Sequence, residues 1–216
     1  MEKNNSKVVA VVALVVAVVA LSVGFAAFSA QLNIAGDANV TVNPENTFSA
    51  NLKYVASSMS CTAGENTTAV ATSAGNVSDT TWSGIVATLK KPGDYVTCTA
   101  TIKNESSFDG YLKSITPAND ITCAPVGTGD AAASTTNATT VCGDMEMVVD
   151  VDGTATTITK ASNTGLTGIS TNNTIAKSSG TDTVTVTIRY KSGGAEADGD
   201  IKVTLPQINL AYKTEN

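Results

Sequence analysis

Beyond residue 30 the chain alternates between apolar and polar positions. Leu32, Ile34, Ala38, Val40 and Val42 mark one such segment around Gly36-Asp37, and Phe48, Ala50, Leu52 and Tyr54 mark another. Ile85, Ala87 and Leu89 lead into the turn Lys91-Pro92-Gly93-Asp94. Val96, Cys98, Ala100 and Ile102 then alternate with Tyr95, Thr97, Thr99 and Thr101. Met145, Met147, Val149 and Val151 end at Asp152-Gly153, and Val184, Val186, Ile188 and Tyr190 alternate with Thr185, Thr187 and Arg189. Ile201, Val203 and Leu205 precede Pro206, with Ile208, Leu210 and Tyr212 after it. Period-two patterning repeated this often predicts antiparallel strands with one buried face. Clusters of Gly, Asn, Asp and Ser separate the segments, as turns require. So many half-buried strands predict an all-β, antiparallel two-sheet sandwich. Residues 124–141 and 153–180 are rich in Thr, Ala, Gly, Ser and Asn and read as long loops or edge strands.

The first 30 residues follow another pattern. Lys3 and Lys7 outweigh Glu2, Val8–Val23 is apolar apart from Ser22, and small residues follow at Gly24, Ala26 and Ala27. A basic start, an apolar run and a small-residue zone form the layout of a secretory signal helix. Cleavage between Ala26 and Ala27 sets Gly24 and Ala26 at the two positions that must be small, whereas cuts after Ala27 or Ala30 place a Phe there. Val8–Phe28, 21 residues and roughly 30 Å as a helix, also has the length of a membrane span, so retention as an anchor is the alternative. The expected organisation is a signal peptide over 1–26, a donor strand or first strand over 27–42, and one β-sandwich domain over 43–216.

Composition narrows the chemistry. The 216 residues carry 13 Lys+Arg, 19 Asp+Glu and no His, a net charge of −6. An acidic surface repels phosphate backbones, so no nucleic-acid partner is expected. Without His there is no Ser-His-Asp triad, no Cys-His pair and no His-x-x-x-His zinc site. The chain is therefore expected not to be an enzyme and to need no metal or cofactor. Asp144, Glu146, Asp150 and Asp152 invite a calcium reading, but Asp-Val-Asp-Gly lacks the remaining spacing of an EF-hand loop, and a polar strand face is the plainer account.

Four cysteines, Cys61, Cys98, Cys123 and Cys142, follow the export segment. An even count in an oxidising compartment favours disulfides, and no Cys-x-x-Cys pair suggests zinc. Of the three pairings, Cys61–Cys98 with Cys123–Cys142 is expected because each closes a local loop. Free buried thiols are the alternative.

Three places carry a family resemblance. Val23-Gly24-Phe25-Ala26-Ala27-Phe28 looks like the junction of signals cut by the SipW-type signal peptidase. Leu89-Lys90-Lys91-Pro92-Gly93-Asp94, followed by an alternating strand to Lys103-Asn104, is similar to the turn and strand of TasA and camelysin-type proteins, with one extra Lys before the Pro. The end of the chain, an alternating Thr-Val strand and a last strand finishing in Tyr212, is similar too. The resemblance implies a jelly-roll sandwich that serves as a secreted structural subunit of an extracellular or cell-surface filament, a biofilm matrix component. It implies that the N-terminal segment of one subunit adds as a strand to its neighbour, here with Leu32, Ile34, Val40 and Val42 on one face. The implied partners are other copies of the chain, the signal peptidase during export and minor filament subunits.

Other classes were weighed on the same residues. Camelysin-type relatives carry a metallopeptidase label, but a zinc peptidase site is usually built with His. A type IV pilin keeps its apolar helix after processing ahead of it, whereas here the small-residue site lies behind. A monomeric surface adhesin or binding module is the main alternative. The only Trp, Trp82, suits either sugar stacking or a core position.

Overall fold

Three long strands form the centre of the molecule, and each folds as its alternation dictates. The computed structural model describes residues 44–127, 133–169 and 173–214. Strand β5 (Tyr95–Asn104) buries Val96, Cys98, Ala100 and Ile102 and turns its threonines outward. It pairs along its length with β12 (Gly180–Tyr190), which in turn pairs with β8 (Met145–Val151). In this register Val186 lies between Cys98 and Val149, and Ile188 between Val96 and Met147, so the apolar set forms continuous rows on one face.

The remaining strands of this sheet are β1 (Leu52–Tyr54), β2 (Ser60–Ala63) and β9 (Thr154–Thr159), in the order β1-β5-β12-β8-β9 with β2 also on β5. β1 and β2 are two halves of one broken edge strand, separated by a 3-10 turn at Ala56–Ser58. β8 and β9 are joined through Asp152 and Gly153, both at positive φ (46° and 85°), the conformation of a two-residue hairpin that suits strand twist.

The second sheet holds β3 (Val70–Ser78), β4 (Thr81–Leu89), β6 (Gly110–Pro117), β7 (Thr122–Pro125), β10 (Leu166–Thr167), β11 (Thr174–Ile175), β13 (Ile201–Thr204) and β14 (Ile208–Lys213). Its order is β10-β6-β14-β4-β13-β7, with β11 on β6 and β3 on β4. Trp82, Ile85, Leu89, Leu112, Ile115, Val203 and Ile208 are its inward side chains and complete the core. All the strand pairs are antiparallel, and the fold is an all-β sandwich.

Two helices correct the sequence reading. Helix α1 (Pro44–Asn51) stands where Phe48 and Ala50 suggested a strand. Phe48 and Leu52 are four residues apart, so they share a helix face as readily as a strand face. Pro44 opens the helix at a position where its missing N–H costs nothing. Helix α2 (Thr135–Val141) lies in a stretch read as loop or edge strand. Ser134 caps it by accepting from the Asn137 N–H at 3.1 Å, and Ala138 and Val141 face the core.

Candidate functional site

The turn after β4 is a clamp built around one carboxylate. Leu89 is buried at the end of β4, and Pro92-Gly93-Asp94 reverses the chain, with Gly93 at φ +93°. Asp94 is fully buried. Its Oδ1 accepts from the Thr68 N–H at 2.9 Å, and its Oδ2 from the Thr68 hydroxyl at 2.7 Å and the N–H groups of Lys90 and Lys91 at 2.9 and 3.2 Å. Burial alone would raise its pKa, but these hydrogen bonds outweigh it and hold the carboxyl below its ordinary value. The turn also joins the central strand, since Gly93 N–H donates to Tyr190 O and Tyr190 N–H to Asp94 O. The four turn residues singled out in the sequence therefore form one structural element.

Both disulfides expected above are present. Cys61 lies directly opposite Cys98 across β2 and β5, Cα atoms 4.0 Å apart, and so ties the broken edge strand to the centre. Cys123 on β7 bonds Cys142 at the end of α2, Cα atoms 5.7 Å apart. Disulfides belong to non-reducing surroundings. Among the described residues no helix is long and apolar enough to cross a membrane.

A buried polar cluster lies at one end of the sandwich. Tyr54, Ile102 and Asp182 sit side by side across β1, β5 and β12. Asp182 is 2% exposed and accepts from the Tyr212 hydroxyl at 2.7 Å. Desolvation pushes its carboxyl up to about 6, assisted by neighbouring Asp152 and opposed by the Tyr212 bond. Burial also raises both tyrosines above their ordinary values, Tyr212 with the added repulsion of Asp182. The Tyr54 hydroxyl has no hydrogen-bond partner among the described residues. Above the cluster, Phe48, Leu52, Leu210 and Tyr212 floor a groove of about 570 Å3, with Lys53 and Asp79 at its rim.

The sheet edges are the other exposed feature. β3 pairs only with β4 among the described residues, and β9 only with β8. Neither Val70–Ser78 nor Thr154–Thr159 contains a charge or a proline, the usual guards of an edge. Val70, 50% exposed, is the one large apolar residue so open among those described.

The expected signal segment, with Ala26 and Ala27 at its expected cut, and the segment 27–42 with Leu32, Ile34, Val40 and Val42 lie outside the described residues. The acidic residues are spread over different tasks. Asp144 accepts from Ala195 N–H, Glu146 pairs with Arg189, Asp150 accepts from Gly153 N–H and Asp152 from Thr183 N–H. No group of three metal-ligating side chains occurs among the described residues. Trp82 is wholly buried, donating to Ala74 O at 2.7 Å, so it offers no sugar platform. Sequence reasoning missed the Asp182–Tyr212 bond, because Asp182 sits at an inward position of β12 that its carboxylate disguises as outward. No protein-family model matches the chain, and no curated protein does.

Proposed function

We propose that this chain is an exported structural subunit that assembles into extracellular or cell-surface filaments by strand donation. The sandwich, in this reading, has jelly-roll connectivity. The observation that carries the proposal is β3, a nine-residue strand that pairs only with β4 among the described residues and is free of charge and proline, with one register irregularity between Ala71 and Ser73. Such an edge presents backbone donors and acceptors to any further strand. The chain also supplies a donor in its own sequence, the alternating segment 27–42, which cleavage after Ala26 frees at one end. Two disulfides support life outside the reducing cytoplasm. No catalytic role is part of this reading, since the chain lacks His.

The test is to place a charge on the edge. Thr72 and Asn76 are exposed on β3. Thr72→Lys with Asn76→Lys in the full mature chain is expected to slow or abolish polymer growth followed by light scattering, with an unchanged circular dichroism spectrum. Undiminished growth would remove β3 as the acceptor.

A further inference from the structure

One end of the other sheet carries a second surface. A single cross-strand row runs over the outer face: Tyr95 on β5 is directly opposite Arg189 on β12, which is directly opposite Glu146 on β8. Gly64 extends the row on the far side of Tyr95, its N–H donating to Tyr95 O. A Cβ on Gly64 would lie 2.2 Å from Tyr95 Cζ, so the tyrosine ring rests against bare backbone. The clamped turn at Gly93 and the strand exit at Lys191 and Ser192 wall this row into a cleft of about 610 Å3.

The polar groups of the cleft are unevenly committed. Arg189 donates from Nε to Glu146 Oε2 at 2.6 Å, and Lys191 Nζ lies 3.3 Å from Glu146 Oε1. Glu146 is nearly buried, while the Arg189 and Lys191 side chains are 49% and 42% exposed. Two half-exposed cations thus share one carboxylate in the cleft lining, while the charges of Asp144 and Glu196 act on the neighbouring Tyr190. The 2.6 Å contact of the ion pair is made by Nε, and the terminal NH2 groups of a guanidinium form a fork suited to a carboxylate. Thr187 and Ser192 add hydroxyls to the same cleft. Asp144, which lies near Tyr190, is engaged by the Ala195 N–H.

We infer that this cleft binds an acidic saccharide, with Arg189 and Lys191 holding a uronate carboxylate and Tyr95 packing against the sugar ring. The C–H face of a pyranose is apolar and matches an aromatic ring, while its hydroxyls match Thr187 and Ser192. An acidic peptide would satisfy the cations and, through its backbone, the hydroxyls, but it offers the Tyr95 ring no flat C–H face. Binding at this site does not depend on polymerisation.

Calorimetric titration of the mature chain with trigalacturonate, maltotriose and triglutamate tests the assignment. Trigalacturonate is expected to bind in a salt-sensitive manner, with maltotriose and triglutamate each about tenfold weaker or worse. Arg189→Ala and Tyr95→Ala should each weaken trigalacturonate by about tenfold or more. Gly64→Ala should weaken it too, because the added methyl displaces the ring without being part of the cleft lining. Hydrogen exchange of the unmodified chain should show protection on binding confined to residues around 93–97 and 187–193, which tests the location without any substitution. Equal affinity for maltotriose or triglutamate would overturn the inference. So would absence of binding at millimolar trigalacturonate, or protection elsewhere on the surface.

Discussion

Asp182 and Asp94 are both buried carboxylates, and their surroundings move them in opposite directions. Asp182 is cut off from water beside a second carboxylate, and this outweighs the hydrogen bond from Tyr212, so its pKa rises to about 6. Asp94 meets four donors, so its pKa falls. From about pH 4 to about pH 6 the folded chain retains a proton on Asp182 that the unfolded chain has lost. Stability from this group is therefore complete below the unfolded value and declines as pH rises, by on the order of 3 kcal/mol across the window. Asp94 contributes the reverse: stability present above its unfolded value near 4, lost as pH falls through its lower folded value. Asp182→Asn should flatten the decline between pH 4 and 6 in denaturant melts while leaving the acid limb in place. A variant as pH-dependent as the parent in that window would contradict the assignment. Asp94→Ala strips the acceptor from four donors and should cost roughly 2–4 kcal/mol at neutral pH. A loss below 1 kcal/mol, measured by the same melts, would mean that water replaces the carboxylate.

At the scale of elements, the strands with unbroken alternation were legible in the sequence, and those with an interruption were not. β5, β8 and β12 keep strict period two between turn residues, so their buried faces follow directly from the residue order. In β4 the phase slips. Gly84, at φ +73°, allows Trp82 and Ile85 both to point inward although they are three apart. Its neighbour across the ladder, Gly75, has room for no side chain, since a Cβ would lie 2.1 Å from Ser83 O. Two glycines in a chain rich in them gave no warning of this slip, and the register irregularity of the ladder falls elsewhere, between Ala71 and Ser73. The helices were hidden differently: Phe48 and Leu52 fit either period, and Thr135–Val141 is rich in β-branched residues that disfavour helix. Local turn chemistry marked Asp94, but its main partner Thr68 is 26 residues away, and the Tyr95-Arg189-Glu146 row exists only through the register of three strands. The local-loop argument did pair the cysteines. Replacing Cys61 and Cys98 together by Ser should lower stability by roughly 3–4 kcal/mol in the chain-entropy account, read as a shift in the urea midpoint. An unchanged midpoint would mean that β2 holds its place on β5 by hydrogen bonds alone.

At the scale of the whole molecule, the proposed filament joins a stapled sandwich, whose β3 and β9 carry no charge, to the expected donor segment 27–42. Residues 27–42 extended at ~3.3 Å each reach roughly 50 Å, enough to meet a neighbouring subunit. Neighbouring residues of a strand face opposite ways, so a charge at Ile34 should impair assembly more than one at Asn33. Gly36-Asp37 can absorb a change of register within the donor. Electron microscopy over time, on the purified chain beginning at Ala27 beside one lacking residues 27–36, tests this most directly. The account predicts filaments from the first and a soluble, folded monomer from the second. Filaments from both, or a shortened chain that no longer folds, would contradict it.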